Sequence, residues 1–199
     1  MDGLSDTIAS ATERFDAIER SRERAMALSR AVIRKTKNMI HAIHIGEDCS
    51  IIRAELIDDV RSMKDELASE PDALNSTYVE DAMMEYSEAL ILDSVLMDGT
   101  VPSYMNMGIS PKEWSMGLAD VIGELRRVVM TRLMEGNIDE AKLRFGQMEE
   151  IYNAVMSFDV RDSVAPIRRK QDIARGVMEK TRSDVANAIV MNSLKNQLK

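Results

Sequence analysis

Val79-Glu80-Asp81-Ala82-Met83-Met84-Glu85-Tyr86-Ser87-Glu88-Ala89-Leu90-Ile91-Leu92 is the stretch that decides the fold. Val79, Ala82, Met83, Tyr86, Ala89 and Leu90 recur at three- and four-residue spacing and make one helical face. Met84, Ile91, Leu92 and Val95 fall on the opposite side, among Glu85 and Glu88. A helix apolar on both sides is packed on both sides. The segment therefore predicts a central, largely buried helix, running from about Asn75-Ser76 to a glycine cap at Asp98-Gly99.

The same periodicity extends outward in both directions. Upstream, Ile8, Phe15, Ile18, Met26, Leu28, Val32, Ile33, Met39, Ile40 and Ile43 predict a long helix over residues 4–45, and a second runs from about Ser50 to Ala68, stopping near Pro71. Downstream, a short loop holds Pro102. Ser110-Pro111 then reads as an N-cap followed by proline in the first turn, opening a helix that ends at Glu135-Gly136. Asn137 caps another that ends near Ser157, and residues from about Ser163 to Leu198 form one long helix or two, with Pro166 near the start. No tandem repeat or low-complexity linker is visible. The expectation is an all-α, single-domain bundle of six or seven helices spanning residues 1–199.

Composition supports that class. The 199 residues are 45% apolar and 30% charged, a globular balance, and nine Gly and four Pro are too few punctuators for an all-β fold. The single cysteine, Cys49, allows no internal disulfide. No apolar run reaches the length of a membrane span, and the start, Met1-Asp2-Gly3-Leu4-Ser5-Asp6, is acidic where a signal peptide is basic. A cytoplasmic protein without membrane association is expected. The net charge of -8 opposes nonspecific attraction to polyanions, yet basic residues are concentrated. Arg14 to Lys37 holds eight basic residues against three acids, and Arg161 to Arg182 holds seven against three. Such segregation permits a polyanion site, although a charged face is commonly just a solvated one.

Chemistry is carried by acids. Glu85 and Glu88, at i and i+3, leave one side of a helix whose flanks are apolar; Asp120 and Glu124, at i and i+4, do the same on the helix opened by Ser110. Two like charges ~4 Å apart repel by about 4 kcal/mol at an effective dielectric near 20, a cost relieved by protonation, by splaying into water, or by a bridging cation. Gly117 and Gly123 each cost roughly 1 kcal/mol inside a helix relative to Ala, which makes sense if something approaches the backbone beside the acids. If the two helices pack antiparallel, four carboxylates can converge, and an oxygen-only donor set suits Mg²⁺ or Mn²⁺. An ion-paired surface stripe with Glu124 matched to Arg127 fits the same spacing without metal. His41-x-x-His44 with Glu47 nearby reads first as structural or phosphate-touching, and no Glu-x-x-His, phosphate loop or nucleophile elbow occurs.

Three blocks of sequence resemble the translin and Trax family. Arg24-Ala25-Met26-Ala27-Leu28-Ser29-Arg30, continuing through Lys35-Thr36-Lys37 to His41-Ala42-Ile43-His44, resembles its first block. Glu85-Tyr86-Ser87-Glu88-Ala89 is similar to the Glu-Tyr-x-Glu-Ala block of Trax. Gly117-Leu118-Ala119-Asp120-Val121-Ile122-Gly123-Glu124-Leu125-Arg126-Arg127 is similar to the block that follows it, the most specific of the three. The order is preserved and the similarity spans nearly the whole chain. The resemblance implies an all-α fold, octameric assemblies, RNA bound on an inner surface, and Mg²⁺-dependent endoribonuclease activity from Trax-type subunits. Acids at all four positions imply the catalytic type, with Glu85, Glu88, Asp120 and Glu124 as metal and catalytic residues, Mg (or Mn) as cofactor, and a homo-oligomer in preference to a separate translin-type partner. Arg30, Arg34, Lys35, Lys37 and Arg127 are the candidates for RNA backbone contacts. With 4% aromatic residues, base stacking has little to draw on. Two alternatives stay open: an all-α nucleoside triphosphate pyrophosphohydrolase, which also pairs acids on neighbouring helices around Mg²⁺, and a non-catalytic RNA-binding oligomer.

Overall fold

The structure, a computed structural model, describes residues 3–198; Met1 and Asp2 of the acidic start lie outside the described residues. The described chain is all-α, with eight helices: α1 (Leu4–Ile45), α2 (Ser50–Leu67), α3 (Pro71–Leu74), α4 (Thr77–Asp98), α5 (Tyr104–Met107), α6 (Pro111–Met134), α7 (Ile138–Met156) and α8 (Ile167–Gln197). Six are long and match the periodic segments. The other two, α3 and α5, are single turns that a periodicity argument cannot see. Pro71 opens α3, where the sequence reading has it only ending α2. Proline suits a first helical turn because its missing N–H is unneeded there. The last segment is a single helix that starts after Pro166.

Local chemistry sets the boundaries. Asp48 takes the backbone N–H and the hydroxyl of Ser50 at 2.9 and 3.0 Å, fixing the start of α2. Ser110 and Glu113 form a complete capping box with Pro111 behind it. Asn137 accepts from the Glu140 N–H at the start of α7. Gly99 closes α4 at φ +77°, a conformation that other residues adopt at a cost.

By their internal contacts the helices fall into two compact units, divided between Tyr86 and Ser87, inside α4. In the first unit, Ala25, Ser29, Val32, Thr36, Met39 and Ala42 line one stripe of α1 and are buried. They share a core with Leu56, Val60, Met63 and Leu67 of α2 and with Val79, Ala82, Met83 and Tyr86 of α4. Before Ala25 no described residue of α1 is buried: Leu4, Ile8 and Phe15 are exposed, and only Ala17, Ile18 and Ser21 are half-buried. In the second unit, α6 packs against α7 and α8, burying Val121, Ile122, Leu125, Val129, Met148, Ile151, Val155, Ala174, Met178 and Val185. The remainder of α4 joins it through Ala89, Leu90, Ile91, Leu92 and Val95. Gln147 of α7 donates to the Val95 carbonyl at 3.0 Å. Arg126 locks α6 to α8, donating to Thr181 Oγ1 at 2.6 Å and to Asp184 Oδ2 at 2.9 Å. No described helix is long and apolar enough to cross a membrane.

Candidate metal and nucleic-acid site

The expectation that α4 is packed on both sides holds: from Ala89 to Val95 every side chain is buried. Glu85 and Glu88 stand at the edge of that packing, each half-buried. Tyr86, between them in sequence, is 3% exposed. Burial pushes its phenol pKa up, offset in part by the positive charge of Arg53 and Arg61.

On α6, Asp120 and Glu124 are likewise half-buried and one turn apart, while Val121, Ile122 and Leu125 occupy the core side. Asp120 forms an ion pair with Lys170, in the first turn of α8. Sequence reasoning missed this lysine. The one local signal for it is the basic run from Arg161 to Arg182, which permits a polyanion site but singles out no lysine.

The donor set is chemically suited to a hard cation, because it is all carboxylate oxygen, without imidazole or thiolate. As placed, however, no three His, Cys, Asp or Glu side chains among the described residues are grouped to hold an ion. The cation on Asp120 is the lysine ammonium. A metal ion on Asp120 would have to displace Lys170.

The basic candidates divide. Arg30, Arg34 and Lys37 are exposed and, at positions i, i+4 and i+7, form one stripe of α1, which His41 extends by a turn. That stripe lies roughly opposite the buried one. Lys35 is different: its ammonium is 3.1 Å from Glu55 and 2.7 Å from Asp59, so its charge ties α1 to α2. The Asp59 hydrogen bond is the main reason its pKa is raised. Arg127 is exposed on α6.

Beside Asp120, the space between α6 and α8 opens into a pocket of about 470 Å³. Ile122, Ile173 and Val177 contribute aliphatic walls, and Asp120, Arg169 and Lys170 contribute charge.

No family model matches the sequence. The uncharacterized protein MJ0175 of Methanocaldococcus jannaschii is 35% identical over 181 residues, 89% of this chain and 81% of the relative. Among solved structures, apo-NeC3PO superposes with a TM-score of 0.79 at 21% identity, covering 94% of this chain and 98% of that one, a likeness of fold. A complex of AfC3PO with duplex RNA gives 0.77 at 26% identity, over 93% and 97% of the two chains. AfC3PO crystallised by itself gives 0.76 at 26% identity, over 93% and 98%.

Proposed function

From the premise that this chain belongs to the translin/Trax family, we propose that it is a Trax-type endoribonuclease subunit that hydrolyses RNA phosphodiester bonds with the help of Mg²⁺ or Mn²⁺. The observation that carries this reading is Asp120. It is half-buried on α6, one turn from Glu124, and already holds a positive charge against its carboxylate. A position where acids gather and a cation is drawn in is where a divalent ion gains most from the protein. The related AfC3PO, similar over 93% of this chain, has been captured on duplex RNA.

Glu88, Asp120 and Glu124 would hold the ion, with Glu85 one turn earlier on α4. When bound, it would lower the pKa of a water and offset charge on the phosphodiester. The chain's own residues do the rest. The exposed stripe of Arg30, Arg34 and Lys37 offers phosphate contacts that do not depend on base sequence, and Arg127 adds one from α6. Lys35 is held by α2 and contributes less than its neighbours. We place the subunit in a cytoplasmic homo-oligomer, an octamer, without requiring a separate translin-type partner.

A non-catalytic RNA-binding oligomer is the second reading, favoured by the absence of any grouped metal-ligand triad among the described residues. End-labelled RNA, incubated with purified protein in Mg²⁺ or in EDTA and alongside Glu88→Gln, separates the two, with a nucleoside triphosphate as a competing substrate. Cleavage that needs Mg²⁺ and is lost in the variant supports the nuclease. Binding without cleavage supports the second reading, and triphosphate hydrolysis with intact RNA overturns both.

A further inference from the structure

We propose that the pocket between α6 and α8 receives one nucleotide of an RNA strand, its base against the aliphatic walls and its phosphate against Arg169 and Lys170. This rests on the reading of the protein as an RNA-processing subunit and gives the strand a seat beside the acids.

Three observations meet here. The volume, about 470 Å³, is in the range of small-ligand sites. The lining is mixed: Ile122, Ile173 and Val177 are aliphatic, Arg169 and Lys170 bring positive charge from the first turn of α8, where the helix dipole adds to it, and Asp120 is paired with Lys170. A ligand matching this lining has a weakly polar body joined to an anionic group, as a nucleotide has.

The third observation is Gly123, which also lines the pocket. It sits in mid-helix with φ outside the positive region, so its backbone conformation does not require glycine. A Cβ built there would meet nothing within 4 Å, so the chain's own packing does not require it either. Gly146 of α7 and Gly176 of α8 are likewise inside helices with nothing within 4 Å, but of the three only Gly123 lines the pocket, where the missing side chain leaves the wall open to a ligand. The pocket mouth suits a continuing strand better than a free nucleotide. Arg169 is exposed, and Ile173 is 58% exposed, leaving a path for chain to enter and leave. Lys170 connects the seat to the acids, since moving its ammonium from Asp120 to an incoming phosphate frees the carboxylate in the same step.

The test uses the full chain in EDTA with a short, fluorescently labelled 2′-O-methyl RNA, read by anisotropy, and with adenosine and uridine monophosphates as competitors. Gly123→Leu places a side chain in open space and fills the pocket; Ile173→Glu puts negative charge at its mouth on an exposed position. Both are expected to stay folded, Gly123→Leu with a melting temperature at or above that of wild type, and to weaken RNA binding roughly tenfold, the scale of one lost base contact. Arg169→Ala should reduce the salt slope of binding by about one. RNA affinity within twofold of wild type in both folded pocket variants overturns the proposal. So does monophosphate binding that RNA does not displace. Outcomes also separate this inference from the nuclease reading. Wild-type RNA binding that Gly123→Leu weakens, with no cleavage in Mg²⁺, removes the nuclease and keeps the seat. Equal cleavage by wild type and both variants removes the seat and keeps the nuclease.

Discussion

Lys35 and Lys170 are withdrawn from solvent to nearly the same degree, with side chains 26% and 24% exposed, and each gives its charge to carboxylate. Their surroundings differ. Lys35 lies between Glu55 and Asp59, one turn apart on α2, and its charge joins two helices. Lys170 meets Asp120 at the edge of a pocket, with Glu124 one turn further along α6. An ion pair is therefore weak evidence of function by itself. What sets the second apart is the opening beside it.

The sharpest way to break this contrast is to neutralise one acid from each pair. Asp120→Asn should lower RNA cleavage by about 100-fold or more, the scale of losing one electrostatic contact to a reacting group. Asp59→Asn should leave the cleavage rate within about twofold, because it touches only helix packing. Equal losses would erase the distinction. Replacing the lysines sharpens it further. Lys170→Met should tighten Mn²⁺ binding by about fivefold in calorimetry, as a competitor worth ~1 kcal/mol leaves Asp120. Lys35→Met should leave Mn²⁺ affinity alone and lower stability by about 1 kcal/mol or less, a shift of roughly 2–4 °C in Tm.

The smallest effect is a pH dependence. The Lys35 pKa is raised in the folded state, first by its hydrogen bond to Asp59. Its contribution is present in full below the ordinary lysine value of about 10.4 and disappears as pH climbs through the raised folded value. Tyr86 acts in the same direction, because burial holds its phenol protonated after the unfolded chain has begun to ionise near pH 10. Stability should fall above about pH 10, and more gently in Lys35→Met than in wild type. Parallel declines in chemical denaturation would show that Lys35 has no part in it.

What the sequence disclosed follows from the range over which each signal acts. The six long helices are legible because burial repeats every three or four residues, as in Ala25, Ser29, Val32, Thr36 and Met39. The caps at Ser110 and Asn137 are legible because the groups they satisfy lie three residues away. The single turns α3 and α5 are too short to complete a period. The division at Tyr86 and Ser87 falls within a continuous helix, so no linker composition announces it. Of the acids, spacing placed Glu85 with Glu88 and Asp120 with Glu124 on their helices. The Lys170–Asp120 pair joins residues fifty apart in sequence, and Lys35 finds its acids on another helix. No local pattern carries information of that kind. Packing alone decides which of many basic residues meets which acid.

The thinly covered beginning of α1 has an energetic consequence. From Leu4 to Arg24 the helix extends roughly 30 Å at 1.5 Å per residue, and no residue of that stretch is buried. A peptide of this length is only marginally helical in water when nothing packs on it. From Ala25 to Ala42 the same helix is anchored by its buried stripe. Amide hydrogens ahead of Ala25 therefore exchange with solvent through fraying that costs little free energy, whereas those behind it wait for the unit to open. α1 is continuous in geometry, yet in the monomer hydrogen exchange is expected to divide it in two, near Ala25.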